Sequence, residues 1–220
     1  MKEKRNEAWL AFTSSYSFKD LKSLMLRTRG NSIYAWDMAY FCSQPEFKVP
    51  DDLNECADCL DWDTLSSSPN IEAQFKFNKN CGLKPKAWWD QIRSYLDNSD
   101  YHWNFNLLSH FGCLNELQWF LEKYATAIDW NYVCAKSALF ATRDKQKLSE
   151  LLNKFKTHID IPSLANREDV DTQQIMKIFP DVNYDYNALM QSGKWSATEE
   201  TVAAEEVITE EAQVTEEAPA

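Results

Sequence analysis

Residues 117–133 read LQWFLEKYATAIDWNYV and residues 148–164 read LSELLNKFKTHIDIPSL. Laid over one another at an offset of 31, their apolar positions coincide: Leu117 with Leu148, Phe120 with Leu151, Leu121 with Leu152, Tyr124 with Phe155, Ile128 with Ile159. That spacing places them on one face of an α-helix. Both runs close on Ile-Asp and an apolar residue. The aspartate suits a helix start, where a short carboxylate accepts exposed backbone N–H groups. The expectation is a long helix, a turn, and a short capped helix, made twice. A mask that returns at a fixed offset predicts a structural repeat.

The same phrase recurs along the chain. It is clear in 60–66 (LDWDTLS), 104–109 (NFNLLS) and 128–133 (IDWNYV), weaker in 159–164 (IDIPSL) and 184–189 (YDYNAL), and degenerate in 35–39 (AWDMA). Its anchors, Trp36, Trp62, Phe105, Trp130, Ile161 and Tyr186, lie 26, 43, 25, 31 and 25 residues apart. Such a period suits one helix-turn-helix unit per repeat, with an insertion at residues 80–100 around Lys84-Pro85-Lys86-Ala87-Trp88-Trp89. Ile175, Ile178 and Phe179 continue the pattern until Pro180 stops the helix, since proline has no N–H and restricts the residue before it. Alternating β-branched runs and Asn-Gly or Asp-Gly hairpin turns are missing. The predicted fold is all-α: a short α-solenoid of degenerate helix-turn-helix repeats over residues 1–195. Residues 1–30 are its N-terminal capping helices, with Trp9, Phe12, Phe18, Leu21, Leu24, Met25 and Leu26 as apolar faces and Arg29-Gly30-Asn31 as the stop.

Composition agrees with a packed body. Of 220 residues, 44% are hydrophobic and 14% aromatic, enough for a core. The four glycines, Gly30, Gly82, Gly112 and Gly193, are too far apart for a phosphate-cradling loop or a nucleophile elbow. The net charge is −11, and residues 196–220 hold eight glutamates and no lysine or arginine. This stretch reads as a disordered acidic tail. The rest is nearly balanced, at −3, so direct nucleic-acid binding is not expected. A secretory signal is not evident, and apolar runs fall short of the ~20 residues of a membrane span. An intracellular, cytoplasmic protein with six reduced cysteines is expected.

Residues 106–122, NLLSHFGCLNELQWFLE, resemble the two helices of an ankyrin repeat: a short first helix, a glycine turn at Gly112, and a second helix carrying Phe120-Leu121. The Asp-Trp-x-x-Leu-Ser phrase is similar to degenerate helical repeats of bacterial and viral proteins. The ankyrin Thr-Pro-Leu-His opening is absent. The resemblance implies protein recognition and no particular partner.

Candidate chemistry is sparse. Cys56-Ala57-Asp58-Cys59, with Cys81 and Cys42 or His102, sketches a zinc site, but the second C-x-x-C or H-x₃₋₅-H is missing, and the repeat alignment makes Cys56 and Cys59 core positions. His102, His110 and His158 are scattered. Asp51/Asp52, Asp61/Asp63, Asp97/Asp100 and Glu168/Asp169 each have a cap or surface reading. A catalytic site, metal or cofactor is therefore not assigned. The nine tryptophans are unusual. Trp88, Trp89, Trp103 and Trp119 form either an extra packing layer or a partner-binding surface rimmed by Lys84, Lys86 and Arg93. Lys19, Lys22, Arg27 and Arg29 make a basic helix face that could meet an acidic partner or the chain's own tail. The expected function is a non-enzymatic interaction module or scaffold for a partner protein. The alternative is an acidic inhibitor, of viral kind by the resemblance, that occupies a nucleic-acid-binding site of a host or defence protein.

Overall fold

The computed structural model describes residues 15–28 and 36–196. Trp9, Phe12, the stop at 29–31 and the tail from residue 197 lie outside the described residues. Among those described, every regular element is helical and no strand occurs. None of the helices is long and apolar enough to cross a membrane. The chain divides into two compact units, Met1–Val133 and Cys134–Ala220.

The first unit holds α1 (Phe18–Thr28), α2 (Met38–Cys42), α3 (Asp51–Cys56), α4 (Trp62–Ser66), α5 (Pro69–Phe75), α6 (Pro85–Leu96), α7 (Phe105–Leu108), α8 (Gly112–Asn115) and α9 (Gln118–Lys123). The division falls within α10 (Trp130–Lys136). The second unit continues with α11 (Lys145–Phe155), α12 (Ile161–Ala165), α13 (Thr172–Ile178) and α14 (Tyr186–Gln191). Most are too short to persist alone, so tertiary packing must hold them.

The helix starts are built alike. Asp37, Asp61, Asn104 and Asp185 precede α2, α4, α7 and α14 with nearly one backbone geometry, φ −77 to −85° and ψ 84 to 96°. Each side chain accepts the N–H three residues on, from Tyr40, Thr64, Leu107 and Ala188. Asp129 does the same for Tyr132 at the start of α10. Asp160 takes the same backbone shape before α12 but holds the Ser163 hydroxyl instead. The tryptophans that follow two of these caps also match: Trp62 Nε1 donates to the Ala57 carbonyl at 3.2 Å and Trp130 Nε1 to that of Ala125 at 2.7 Å.

A second recurrence was not visible in the apolar mask. Five residues after Asp37, Asp61, Asn104, Asp129 and Asp160 stands a small buried side chain, respectively Cys42, Ser66, Ser109, Cys134 and Ala165, whereas the place after Asp185 is taken by the exposed Met190. At Ser66 and Ser109 the hydroxyl receives the backbone N–H of the next such cap residue. Ser66 Oγ accepts from Asn104 at 2.9 Å and Ser109 Oγ from Asp129 at 3.1 Å. The ends of α4 and α7 thus satisfy backbone donors at the starts of α7 and α10, which would be costly to leave unpaired. Asn104 Nδ2 adds a bond to Asp63 at 2.7 Å.

Three local expectations change. The run 117–128 was expected to be one helix; α9 stops at Lys123, and Ala127 N–H closes a turn on the Tyr124 carbonyl at 2.8 Å. At the same offset, His158 N–H closes on Phe155 at 2.8 Å after α11. Ile128 and Ile159 are therefore buried from turns, not from helix faces. Gly112 opens α8 instead of turning the chain, its N–H on Glu72 Oε1 at 3.1 Å. The first anchor is Met38 rather than Trp36, because a carboxylate caps only the helix that follows it; Trp36 precedes Asp37 and donates its indole N–H to Thr28 Oγ1 at 2.9 Å. The insertion at 80–100 contains α6, started by Pro85 at its first turn, where a missing N–H costs nothing.

Candidate functional site

Trp88, Trp89, Lys84, Lys86 and Arg93 lie on or beside α6, and Arg93 brings in Trp119. A 3-10 turn at Lys79–Cys81 ends at Gly82, whose φ of +74° favours glycine. Leu83, 40% exposed, and Lys84 then lead into α6. Ile92 and Leu96 anchor this helix in the core. Trp88 is half-buried; its indole donates to the Phe75 carbonyl at 3.2 Å and its ring meets Phe77 edge-on. Trp89 is half-buried too, and among the described residues its indole N–H has no hydrogen-bond acceptor. One turn on, the Arg93 guanidinium lies 4.3 Å from the centre of the Trp119 ring, a favourable cation–π placement. Trp119 Nε1 is buried without a hydrogen-bond partner.

Trp103 does not join this surface. It is 6% exposed, donates to the Tyr95 carbonyl at 3.0 Å, and packs edge-on against Trp62 and Phe75. Its place is in the core, where a partner could not reach it. The partner-binding expectation is corrected at this residue. No short-range pattern separates it from its neighbours.

Residues 76–93 carry five basic side chains against Asp90 alone. Lys76 pairs with Glu72 at 3.2 Å and Arg93 with Asp90 at 3.6 Å. Lys79, Lys84 and Lys86 are exposed and make no ion pair with a described residue.

The basic face of α1 is weaker than its sequence suggests. Lys22 is engaged by Asp52, which is buried, and by Glu55 at 2.8 Å. Burial opposes the Lys22 charge, but the hydrogen bonds it donates to both carboxylates outweigh this and raise the ammonium pKa above its ordinary value. Asp52 also accepts the Lys48 N–H at 2.6 Å. Lys22 therefore ties α1 to α3 and is not free for a partner. Lys19 and Arg27 are exposed, and Arg29 lies outside the described residues. Lys19 lines an open cavity of about 500 Å³ with Tyr16, Tyr40 and Glu46. A second cavity, about 360 Å³, is walled by Ser43, Thr64, Ser67, Ser68 and Asn70 and holds no ionisable group.

The cysteines pack. Cys42 and Cys56 are buried, and Cys59 Sγ lies 3.9 Å from Met25 Sδ. Burial pushes the thiols of Cys42, Cys56 and Cys113 up to about 12, so they stay protonated and poorly nucleophilic. Among the described residues no group of three or more His, Cys, Asp or Glu is placed to hold a metal ion. At neutral pH these three thiols are expected to resist iodoacetamide in the native protein and to react fully in denaturant, as mapped by peptide mass spectrometry. Rapid native labelling of Cys56 would contradict the packing.

The histidines and paired carboxylates serve local structure. His110 stacks on Tyr132 with ring centres 4.0 Å apart and lies 3.0 Å from Asp129. His102 meets Trp62 edge-on. Asp97 bonds the Tyr124 hydroxyl and Lys123, both at 2.6 Å. Arg167 pairs with Asp169 and donates to the Cys134 and Ser137 carbonyls. Burial works against the Asp97 and Asp129 charges, but hydrogen bonds from Lys123 and Tyr124, and from His110 and Tyr132, hold both below the ordinary carboxylate range. The Arg167 hydrogen bond does the same for Asp169. Carboxylates depressed in the folded state contribute stability above their unfolded pKa, about 3.9, and lose it as pH falls through the folded value. Thermal stability should therefore fall below about pH 4, and Lys123→Ala should flatten part of that decline. With these side chains partly exposed, each effect is small.

No family model, curated protein or solved structure matches the chain.

Proposed function

We propose that this chain is a non-enzymatic protein–protein interaction module, a short stack of degenerate helix-turn-helix units that holds a partner protein in the cytoplasm. The observation that carries the reading is the segment leading into α6, where Leu83, Trp89 and three exposed lysines, Lys79, Lys84 and Lys86, make no ion pair or hydrogen bond through their side chains among the described residues. Exposed apolar groups rimmed by charge mark interaction sites, and half-buried tryptophans are favoured energetic anchors there. Trp88 and Trp119 fix the floor of this surface through the Phe75 carbonyl and Arg93. The repeated caps and the Ser66 and Ser109 bonds supply the rigid support such a surface needs. The glutamate-rich residues 196–220 would aid solubility or recruitment.

The test is co-purification from the native host with full-length protein and with Trp89→Ala. A stoichiometric partner retained by the first and lost from the second supports the reading. A partner indifferent to Trp89→Ala, or none at all, overturns it.

A further inference from the structure

We infer that the surface at the start of α6 takes an acidic segment of the partner, its aliphatic side chains on Leu83 and Trp89 and its carboxylates on Lys79, Lys84 and Lys86. This rests on the interaction reading above and names the chemistry of what binds.

Charge carries the argument. The whole chain is −11, yet residues 76–93 sum to +4. Lys76 and Arg93 are neutralised locally by Glu72 and Asp90. The excess therefore resides on Lys79, Lys84 and Lys86, all exposed and unpaired among the described residues. Two other lysines are already engaged, Lys22 by Asp52 and Lys123 by Asp97. Lysines at the rim of an apolar surface orient an anionic partner and speed its encounter.

The apolar part fixes where that partner sits. Lys86 and Trp89, three residues apart, share one flank of α6. Leu83 stands just before the helix, 40% exposed. The Trp88 indole N–H is used by the Phe75 carbonyl, whereas that of Trp89 remains available to an acceptor on the partner.

A polynucleotide suits the surface less well. Its phosphates need a continuous cationic path. Here Asp90 follows Lys86 by one turn, and exposed Asp97 follows the end of α6. The planar, bidentate fork preferred for phosphate is Arg93, already held by Asp90 and Trp119. Discrete carboxylates spaced by aliphatic groups fit the lysines and leave the Asp90–Arg93 pair undisturbed.

The test is fluorescence anisotropy with the full-length protein and a labelled peptide of three Glu-Glu-Leu-Ala repeats. Its companions are the Gln-for-Glu peptide and a deoxythymidine oligomer of equal length. The acidic peptide is expected to bind, more tightly than either companion. The double variant Lys84→Glu/Lys86→Glu should weaken it by about tenfold or more, and Trp89→Ala should also weaken it. Both lysines are exposed, so the double variant should keep the wild-type melting temperature. Absence of binding, indifference to the charge reversal, or tighter binding of the oligomer would overturn the inference. If the peptide fails while Trp89→Ala still loses the co-purified partner, the acidic chemistry falls and the interaction reading stands. If the partner survives Trp89→Ala, both fall.

Discussion

Phe75→Ala is expected to lower the unfolding free energy by about 3–5 kcal/mol, the range for removing a buried phenylalanine. Phe75 ends α5 fully buried, with ring centres 5.7 Å from Trp103 and 6.3 Å from Phe111. The truncation leaves the Phe75 carbonyl, and with it the Trp88 indole bond, in place. The loss should therefore come from the ring and the cavity it leaves, with little disturbance of α6. Urea denaturation followed by tryptophan fluorescence would measure it. Trp89→Ala, at a half-buried position, should cost far less stability while acting on binding. A Phe75→Ala loss under about 1 kcal/mol would mean that this part of the first unit is not a packed core.

The second large effect concerns the buried hydroxyls. Ser66→Ala leaves the Asn104 N–H without its acceptor, and Ser109→Ala does the same to Asp129. Each should cost about 1–3 kcal/mol, the penalty for stranding a buried donor. The double variant should approach the sum if the sites act independently. Ser66→Cys should cost less than Ser66→Ala, because a thiol sulfur is a weak acceptor and a methyl group is none. Hydrogen exchange gives the specific readout: in Ser66→Ala the Asn104 amide should lose protection before the rest of the first unit. If Ser66→Ala and Ser66→Cys prove equal and neutral, the bond contributes nothing to holding α4 to the start of α7.

Both predictions depend on features of very different legibility. The aspartate and asparagine caps could be read from residues 60–66 and 128–133 because capping is local: a short side chain reaches an amide three positions away. The coincidence of 117–128 with 148–159 was equally legible, and both runs do turn at matching places. Their lengths were not. Periodicity continues through a turn when the turn's last residue is also buried, so Ile128 and Ile159 read as helix although each follows the helix end. Trp36 was misplaced by two positions for a related reason: an aromatic beside an acid looks the same in either order, and only the cap bond to Tyr40 gives the direction.

The candidate surface was legible in kind and not in membership. Trp88, Trp89, Trp103 and Trp119 cluster in sequence, but their roles depend on which acceptor or cation lies across from each ring. Trp103 finds the Tyr95 carbonyl and the core; Trp119 finds Arg93. Lys22 likewise looked like a surface charge until Asp52, thirty residues away, was placed beside it. Side-chain chemistry acting over three or four residues was enough to set the helical class and where helices begin. Which polar groups are consumed inside the fold, and so which lysines and which tryptophan remain open to a partner, was decided by contacts between segments 20 to 40 residues apart. A chain written out in order carries no distances between such segments; only packing brings a donor to its acceptor.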